Sequence, residues 1–170
     1  MRLSEINSLS DTEAQETLLR CCGSTRWAER MLQARPYDTL PTLHSLAEKI
    51  WWELHREDWL EAFAHHPRIG GDVESLRKKF ASTAQWAGDE QSGTRGASEE
   101  TLQALSRGNT EYEARFGHVF LICATGKSAE EMLAALKQRF PNNPENELRI
   151  AAGEQAKITA IRLDKLLRDS

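Results

Sequence analysis

Three groups of polar residues in this chain have the types and spacing for acid–base chemistry. The first is His66, which stands before Pro67 and shortly before Gly70 and Gly71. Proline disfavours helical geometry at the preceding residue and has no amide donor, and glycine tolerates dihedral angles that other residues avoid. The pattern predicts a rigid corner that presents an imidazole, the side chain whose ordinary pKa lies nearest to neutral pH. The alternative is a surface turn in which the histidine has no special role.

The second group is the pair Glu90-Gln91, at the end of a short helix that we expect to open at Ser82. A carboxylate next to an amide could exchange a proton with a histidine or bind a polar heterocycle. Because most such side chains are solvated, a surface position is the alternative.

The third group is Arg162, on the predicted final helix. Each residue of an α-helix turns about 100° around the axis, so Arg162 points about 40° away from the direction shared by Leu148 and Leu166. It therefore lies on the apolar stripe of this helix. Burial of a guanidinium without a partner is costly. Arg162 therefore extends to the edge of the stripe, pairs with a buried carboxylate, or binds an anionic ligand, and the pattern alone favours the first two.

Metal and nucleotide motifs are not found in the sequence. The five histidines form no HExxH motif and no close Cys/His quartet, and the adjacent His65 and His66 are poorly placed to chelate one metal. No glycine-rich phosphate loop or nucleophile elbow is present. We expect no metal, and nucleotide binding has no support in the sequence.

Composition limits the possible partners and location. The 170 residues fit one domain, 1–170, and the net charge of -4 comes from 22 basic and 26 acidic residues that are interspersed. Without a basic stripe, nucleic acid is not an expected partner. No run of roughly 20 apolar residues could span a bilayer, and the amino terminus lacks a signal-peptide pattern. Cys21, Cys22 and Cys123 are odd in number and suit a reducing compartment, which favours the cytoplasm.

Helical periodicity dominates the chain. Capping signals at Ser10, Ser98 and Ser128 and an Asn143-Pro144 start open four of the predicted helices. The candidate strand Val119 to Ala124 has no partner strand, so we interpret it as a buried extended segment or short helix. The sequence therefore predicts an all-α bundle of about eight or nine helices. Further helices follow from apolar spacing around Trp27 and Met31, from Leu43 to Leu54, around Trp59 and Phe63, and around Val73, Leu76 and Phe80.

Five landmarks occur in a specific order and spacing along the chain. They are His66-Pro67-Arg68-Ile69-Gly70, Glu90-Gln91-Ser92-Gly93, Tyr112 through Phe116-Gly117, Phe120 to Ala124, and Ile161-Arg162-Leu163. Together they resemble the 2-oxo-4-hydroxy-4-carboxy-5-ureidoimidazoline (OHCU) decarboxylases of urate degradation, and the resemblance covers nearly the whole length.

The resemblance implies a cofactor-independent, all-helical enzyme, often a homodimer, that converts OHCU to (S)-allantoin and carbon dioxide. His66 and Glu90 would serve as the acid–base pair, and Arg162 would bind substrate and stabilise charge. The relatives place a serine where this chain has Ala87. The substrate-binding set is Pro67, Ala87, Gly88, Asp89, Glu90, Gln91, Phe120, Leu121, Ile122, Cys123, Ala124 and Arg162.

Two other functions compete with this interpretation. One is a helical interaction module without catalysis, in which Trp51, Trp52 and Trp59 form a groove for a partner. The other is a metal-dependent ureide hydrolase.

Overall fold

The structure, a computed structural model, describes residues 1–66, 73–78 and 98–167. Over these residues the chain forms helices and irregular segments and no strand, so the all-α prediction is confirmed. Residues 73–78 are also helical. The other helices are α1 (Leu3–Ser8), α2 (Asp11–Cys21), α3 (Thr25–Gln33), α4 (Leu40–Trp52), α5 (Arg56–Ala64), α6 (Glu99–Phe116), α7 (Ala129–Arg139) and α8 (Pro144–Leu166).

The predicted helix starts follow from local capping. The hydroxyl of Ser98 accepts a hydrogen bond from the amide of Thr101 at 3.1 Å, and Ser10 caps α2 in the same way. Ser128 and Glu131 form the reciprocal capping box, so each satisfies a backbone donor that the first turn leaves unpaired. The amide oxygen of Asn143 accepts from the backbone of the first turn of α8.

Helix α5 starts before the apolar spacing around Trp59 and Phe63 that predicts it. The helix begins at Arg56, because the Asp58 carboxylate accepts a hydrogen bond from the His55 amide at 3.1 Å and so closes a capping box one turn earlier.

The described chain divides into two compact units. The first comprises Met1–His65 and Ala152–Ser170, of which 168–170 lie outside the described residues, and the second comprises His66–Ala151. Helix α8 contributes to both. That residues 1–170 act as one functional domain stays a prediction.

Buried tryptophans connect the helices of the first unit. The indole N–H groups of Trp27, Trp51 and Trp59 donate to backbone carbonyl oxygens at 3.1, 2.9 and 2.9 Å. The acceptors are in α4, in α8 and again in α4, so each bond joins two helices. A buried indole donor needs such a partner. Trp51 and Trp59 are therefore buried members of the core.

The second unit has its own apolar core between α6 and α7. Gly108 permits their close approach, because a Cβ at this position would lie 3.0 Å from a methyl carbon of Leu136. Helical residues 73–78 contribute Leu76 to the same core. Its other buried members are Leu102, Leu105, Tyr112, Phe120, Ile122, Ala129, Met132 and Leu136.

We predict that Trp51→Phe lowers the free energy of unfolding by about 1 to 3 kcal/mol, because the hydrogen bond to Ala152 is lost and a cavity remains. Urea denaturation measures the change. The matched control is Trp52→Phe on the same helix, where the side chain is 40% exposed and the change should stay within about 0.5 kcal/mol. Equal losses in the two variants would contradict the connecting role of Trp51.

Candidate active site

The helix before His66 ends where the sequence predicts. Helix α5 stops at Ala64, and His65 caps it with helical dihedral angles. His66 follows outside the helix and is half-buried. This placement agrees with the effect of Pro67 on the preceding backbone. Pro67 itself and Gly70-Gly71 lie outside the described residues.

Gly23 lies against the residue next to His66. A Cβ built on Gly23 would be 2.7 Å from two ring carbons of His65 and 2.8 Å from its Cβ. The last of these atoms is attached to the backbone, so it cannot swing aside like the end of a flexible side chain. A larger residue at position 23 would therefore push on the main chain immediately before His66, a constraint that the sequence did not reveal.

Arg162 lies half-buried on α8, as the helical stepping predicted. Its Nη1 donates a long hydrogen bond, 3.5 Å, to the backbone oxygen of Cys21. No carboxylate pairs with it in the part of the chain that the structure describes. The structural ion pair among the sequence alternatives is thus not found within those residues.

The cysteines near Arg162 have strongly perturbed thiols. Burial raises the pKa of Cys21 and of Cys22 from 9.0 to about 11, and the positive charge of Arg162 opposes part of this rise at both. A thiol with a raised pKa remains protonated and unreactive at neutral pH. These cysteines are therefore small buried groups and not nucleophiles.

The segment Val119 to Ala124 forms neither helix nor strand. Phe120 to Cys123 are buried, which confirms the buried segment and excludes the short helix. Side chains that the sequence analysis overlooked hold its backbone: Nη1 of Arg139 donates to the Leu121 oxygen at 2.9 Å, and Nζ of Lys127 donates to the Cys123 oxygen at 3.0 Å.

Arg139 belongs to a buried polar network centred on Glu147. Nε and Nη2 of Arg139 donate to one carboxylate oxygen of Glu147 at 2.8 and 2.6 Å, and the Tyr112 hydroxyl donates to the same oxygen. Asn142 donates to the other oxygen at 3.1 Å. Burial and the hydrogen bond to the Glu147 carboxylate raise the pKa of Tyr112, so the phenol keeps its proton.

The structure brings only part of the predicted site into view. Pro67, Ala87, Gly88, Asp89, Glu90 and Gln91 lie outside the described residues. His66 and the segment Phe120 to Ala124 belong to the second unit, and Arg162 belongs to the first. That these groups meet at one substrate stays a prediction.

A cavity of about 410 Å³ lies within the first unit, between α4 and α8. Trp51, Trp52 and His44 line it from α4, and Gly153 and Ala156 line it from α8. The predicted site residues that the structure describes are not among its walls. Within the described ranges, no group of three or more His, Cys, Asp or Glu side chains is arranged to hold a metal ion, and no helix is long and apolar enough to cross a membrane.

The fold and the landmarks identify the family. The sequence profile of the OHCU decarboxylases matches residues 7–164, and the chain belongs to this family. A crystal structure of an OHCU decarboxylase in the presence of (S)-allantoin is 38% identical in sequence, with a TM-score of 0.74 over 95% of this chain and 100% of that one.

Two curated relatives are much longer proteins. A uric acid degradation bifunctional protein of Arabidopsis thaliana is 39% identical over 151 residues, which are 88% of this chain and 46% of that protein. A protein of the same description from a Bacillus species (strain TB-90) is 26% identical over 170 residues, 99% of this chain and 33% of that protein. The chain thus spans less than half the length of either relative.

We predict that Gly23→Ala destabilises the protein by about 1 to 3 kcal/mol, because the new methyl group collides with His65. Thermal or urea unfolding measures this. In a His65→Gly background the three colliding atoms are absent, so the same substitution should cost less than about 0.5 kcal/mol. An equal cost in both backgrounds would show that the collision is not the cause.

We predict that stability falls between about pH 9 and pH 11, because the unfolded thiols of Cys21 and Cys22 lose their protons near pH 9.0 while the folded ones keep them to about pH 11. The stabilisation is complete below pH 9 and is lost through this window, on the order of 2 kcal/mol per thiol. Urea unfolding at several pH values measures the fall. A Cys21→Ala, Cys22→Ala variant should show a shallower fall. Any loss of stability from deprotonation of the buried Tyr37 and Tyr112 should be equal in both proteins. Parallel curves would contradict this assignment.

Proposed function

We propose that this chain catalyses the decarboxylation of OHCU to (S)-allantoin and carbon dioxide. The observation that carries the proposal is the family match over residues 7–164, which spans positions 66, 90 and 162. The structural relative crystallised in the presence of (S)-allantoin supports the same product. We expect the chemistry to use the chain's own residues without a cofactor.

The reaction needs electrons to be accepted and a proton to be placed. When the bond between the ring carbon and its carboxylate breaks, the electron pair forms a C=C bond to the ureido-bearing carbon, and the C=N electrons move to nitrogen, which takes a proton. The hydroxyl group then loses its proton to become a carbonyl, and the ureido-bearing carbon gains a proton on one face. The protein must fix the substrate's pose, supply that proton and stabilise the electron-rich intermediate.

In this proposal His66 is the principal acid and base, and Glu90 orients it or exchanges a proton with it. The end of α5 at Ala64 supports the role of His66, because a residue held just beyond a helix has restricted freedom. Arg162 has a different task. A grip on the departing carboxylate would stabilise the substrate more than the transition state, so we assign Arg162 to ring or hydroxyl oxygens where charge develops.

The substrate-contacting residues complete the proposal. Gln91 and the main chain around Ile122 would recognise the ureido and carbonyl edges, and the backbone around Ala87 and Gly88 would add contacts without the serine hydroxyl of the relatives. A homodimer and a cytoplasmic location are also proposed. The homodimer rests on the family resemblance, and the location rests on the three cysteines, all of which are buried.

We predict that His66→Asn lowers kcat for freshly generated OHCU by about 10²- to 10⁴-fold. Glu90→Gln and Arg162→Gln should each lower it by about 10²-fold. The enzymatic rate is measured as the rate at which (S)-allantoin forms in excess of the R form. Spontaneous decay of OHCU gives a racemic product, so the rate of total allantoin formation would mislead. The controls are His65→Asn, next to the proposed acid–base residue, and Arg149→Gln, an exposed arginine on α8.

The outcomes separate the competing functions. If the His66→Asn variant folds and still forms allantoin with the full enantiomeric excess of the wild type, the role assigned to His66 is wrong. A wild-type protein that forms no excess of (S)-allantoin would favour the non-catalytic interaction module, for which Trp52 and the cavity beside it remain available. Activity that disappears on chelation and returns with metal would favour the ureide hydrolase.

A further inference from the structure

The main chain of Ile122 is buried and has no hydrogen-bond partner within the described residues. Ile122 is 5% exposed, and neither its N–H nor its C=O finds a hydrogen-bond partner among residues 1–66, 73–78 and 98–167. Burial of a backbone donor or acceptor without a partner costs free energy, so native proteins seldom leave one. In the proposed reaction the substrate supplies a partner for these groups.

Two cationic side chains hold the backbone on either side of Ile122. The Leu121 oxygen receives Arg139, and the Cys123 oxygen receives Lys127. The bond from Arg139 acts on Ile122 more directly than the bond from Lys127 does. The Leu121 C=O and the Ile122 N–H belong to one planar trans peptide group and point in opposite directions. By fixing the oxygen, Arg139 fixes the direction of the N–H. A charged donor on the oxygen also polarises the group and strengthens its N–H as a donor.

Arg139 is itself held in one orientation. Its Nε and Nη2 are bound to the fully buried Glu147, its Nη1 is bound to Leu121, and its guanidinium carbon lies 4.6 Å from the centre of the Phe120 ring. All three nitrogen atoms are thus in use. Arginine can make these bonds at once because its donors form a rigid planar fork, whereas the ammonium of lysine is a single point.

We propose that Arg139 and Lys127 are positioning residues that aim the Ile122 main chain at the substrate. This inference rests on the proposed function and identifies the residues behind the expected backbone contact. Neither side chain touches the substrate. Each acts through the peptide groups that it holds, and the Ile122 N–H supplies a preorganised dipole to an oxygen on which negative charge develops.

The test compares Arg139→Lys and Lys127→Met with two controls. We expect each positioning variant to lower kcat by about 10- to 100-fold, with a smaller change in KM and a lower excess of (S)-allantoin. Tyr112→Phe removes a bond to Glu147 and leaves the Leu121 contact in place, so it should lower the urea midpoint while kcat changes less than about twofold. Lys137→Met, an exposed lysine on α7, controls for the loss of charge.

The measurements distinguish this inference from the proposed function. A wild-type protein without activity would overturn both this inference and the proposed function. The positioning roles alone are overturned if the wild type is active and the folded Arg139→Lys and Lys127→Met variants keep kcat and enantiomeric excess within about twofold. If Arg139→Lys fails to fold, Lys127→Met decides, because Lys127 has no part in the buried carboxylate network. A loss of kcat in Lys127→Met at an unchanged urea midpoint supports the inference.

Discussion

The carboxylate of Glu147 must be compensated where it lies, and this requirement organises the second unit. Removal of a charge from water costs several kcal/mol unless it is paired and fully hydrogen-bonded. Tyr112 on α6, Arg139 at the end of α7 and Asn142 before α8 each supply a donor. The ends of three helices are thereby held around one side chain. The irregular segment at Leu121 is anchored by the remaining nitrogen of the same arginine, so its position follows from charge compensation and not from a regular backbone ladder.

The first unit is held together differently. Three of the hydrogen bonds between its helices run from buried indole N–H groups to backbone oxygens. Arg162 shares the apolar face of α8 with the buried polar residues Gln155 and Thr159, and among the described residues its surroundings include a carbonyl oxygen and two protonated thiols. Such surroundings do not neutralise a guanidinium. The charge is thus not paired within the described residues, and in the proposed reaction an anionic group of the substrate would compensate it.

Local signals made most of the helices predictable. A serine three residues before a backbone donor fixed the starts of α2, α6 and α7, and a constant turn per residue placed Arg162 on the correct face. The roles of Arg139 and Glu147 could not be predicted in this way. In sequence they look like a cation in the last turn of one helix and an acid in the first turn of the next, the usual response to helix dipoles. Their burial and the approach of Gly23 to His65 depend on contacts between distant segments, which no periodicity reveals. For Glu90 and Gln91 the prediction stands on the family pattern alone.

The main chain at Ile122 has a consequence for how this protein can vary. A function carried by a peptide group is indifferent to the side chain attached to it, since every residue except proline keeps the N–H. Under the proposed role, position 122 can exchange one aliphatic residue for another and thereby reshape the adjacent apolar surface, while the polar contact persists. A survey of tolerated substitutions would classify Ile122 as an ordinary packing position and would place the sensitivity at residues that never meet the ligand. Engineering of substrate scope can therefore begin at residue 122 itself, where shape and hydrogen bonding are separable.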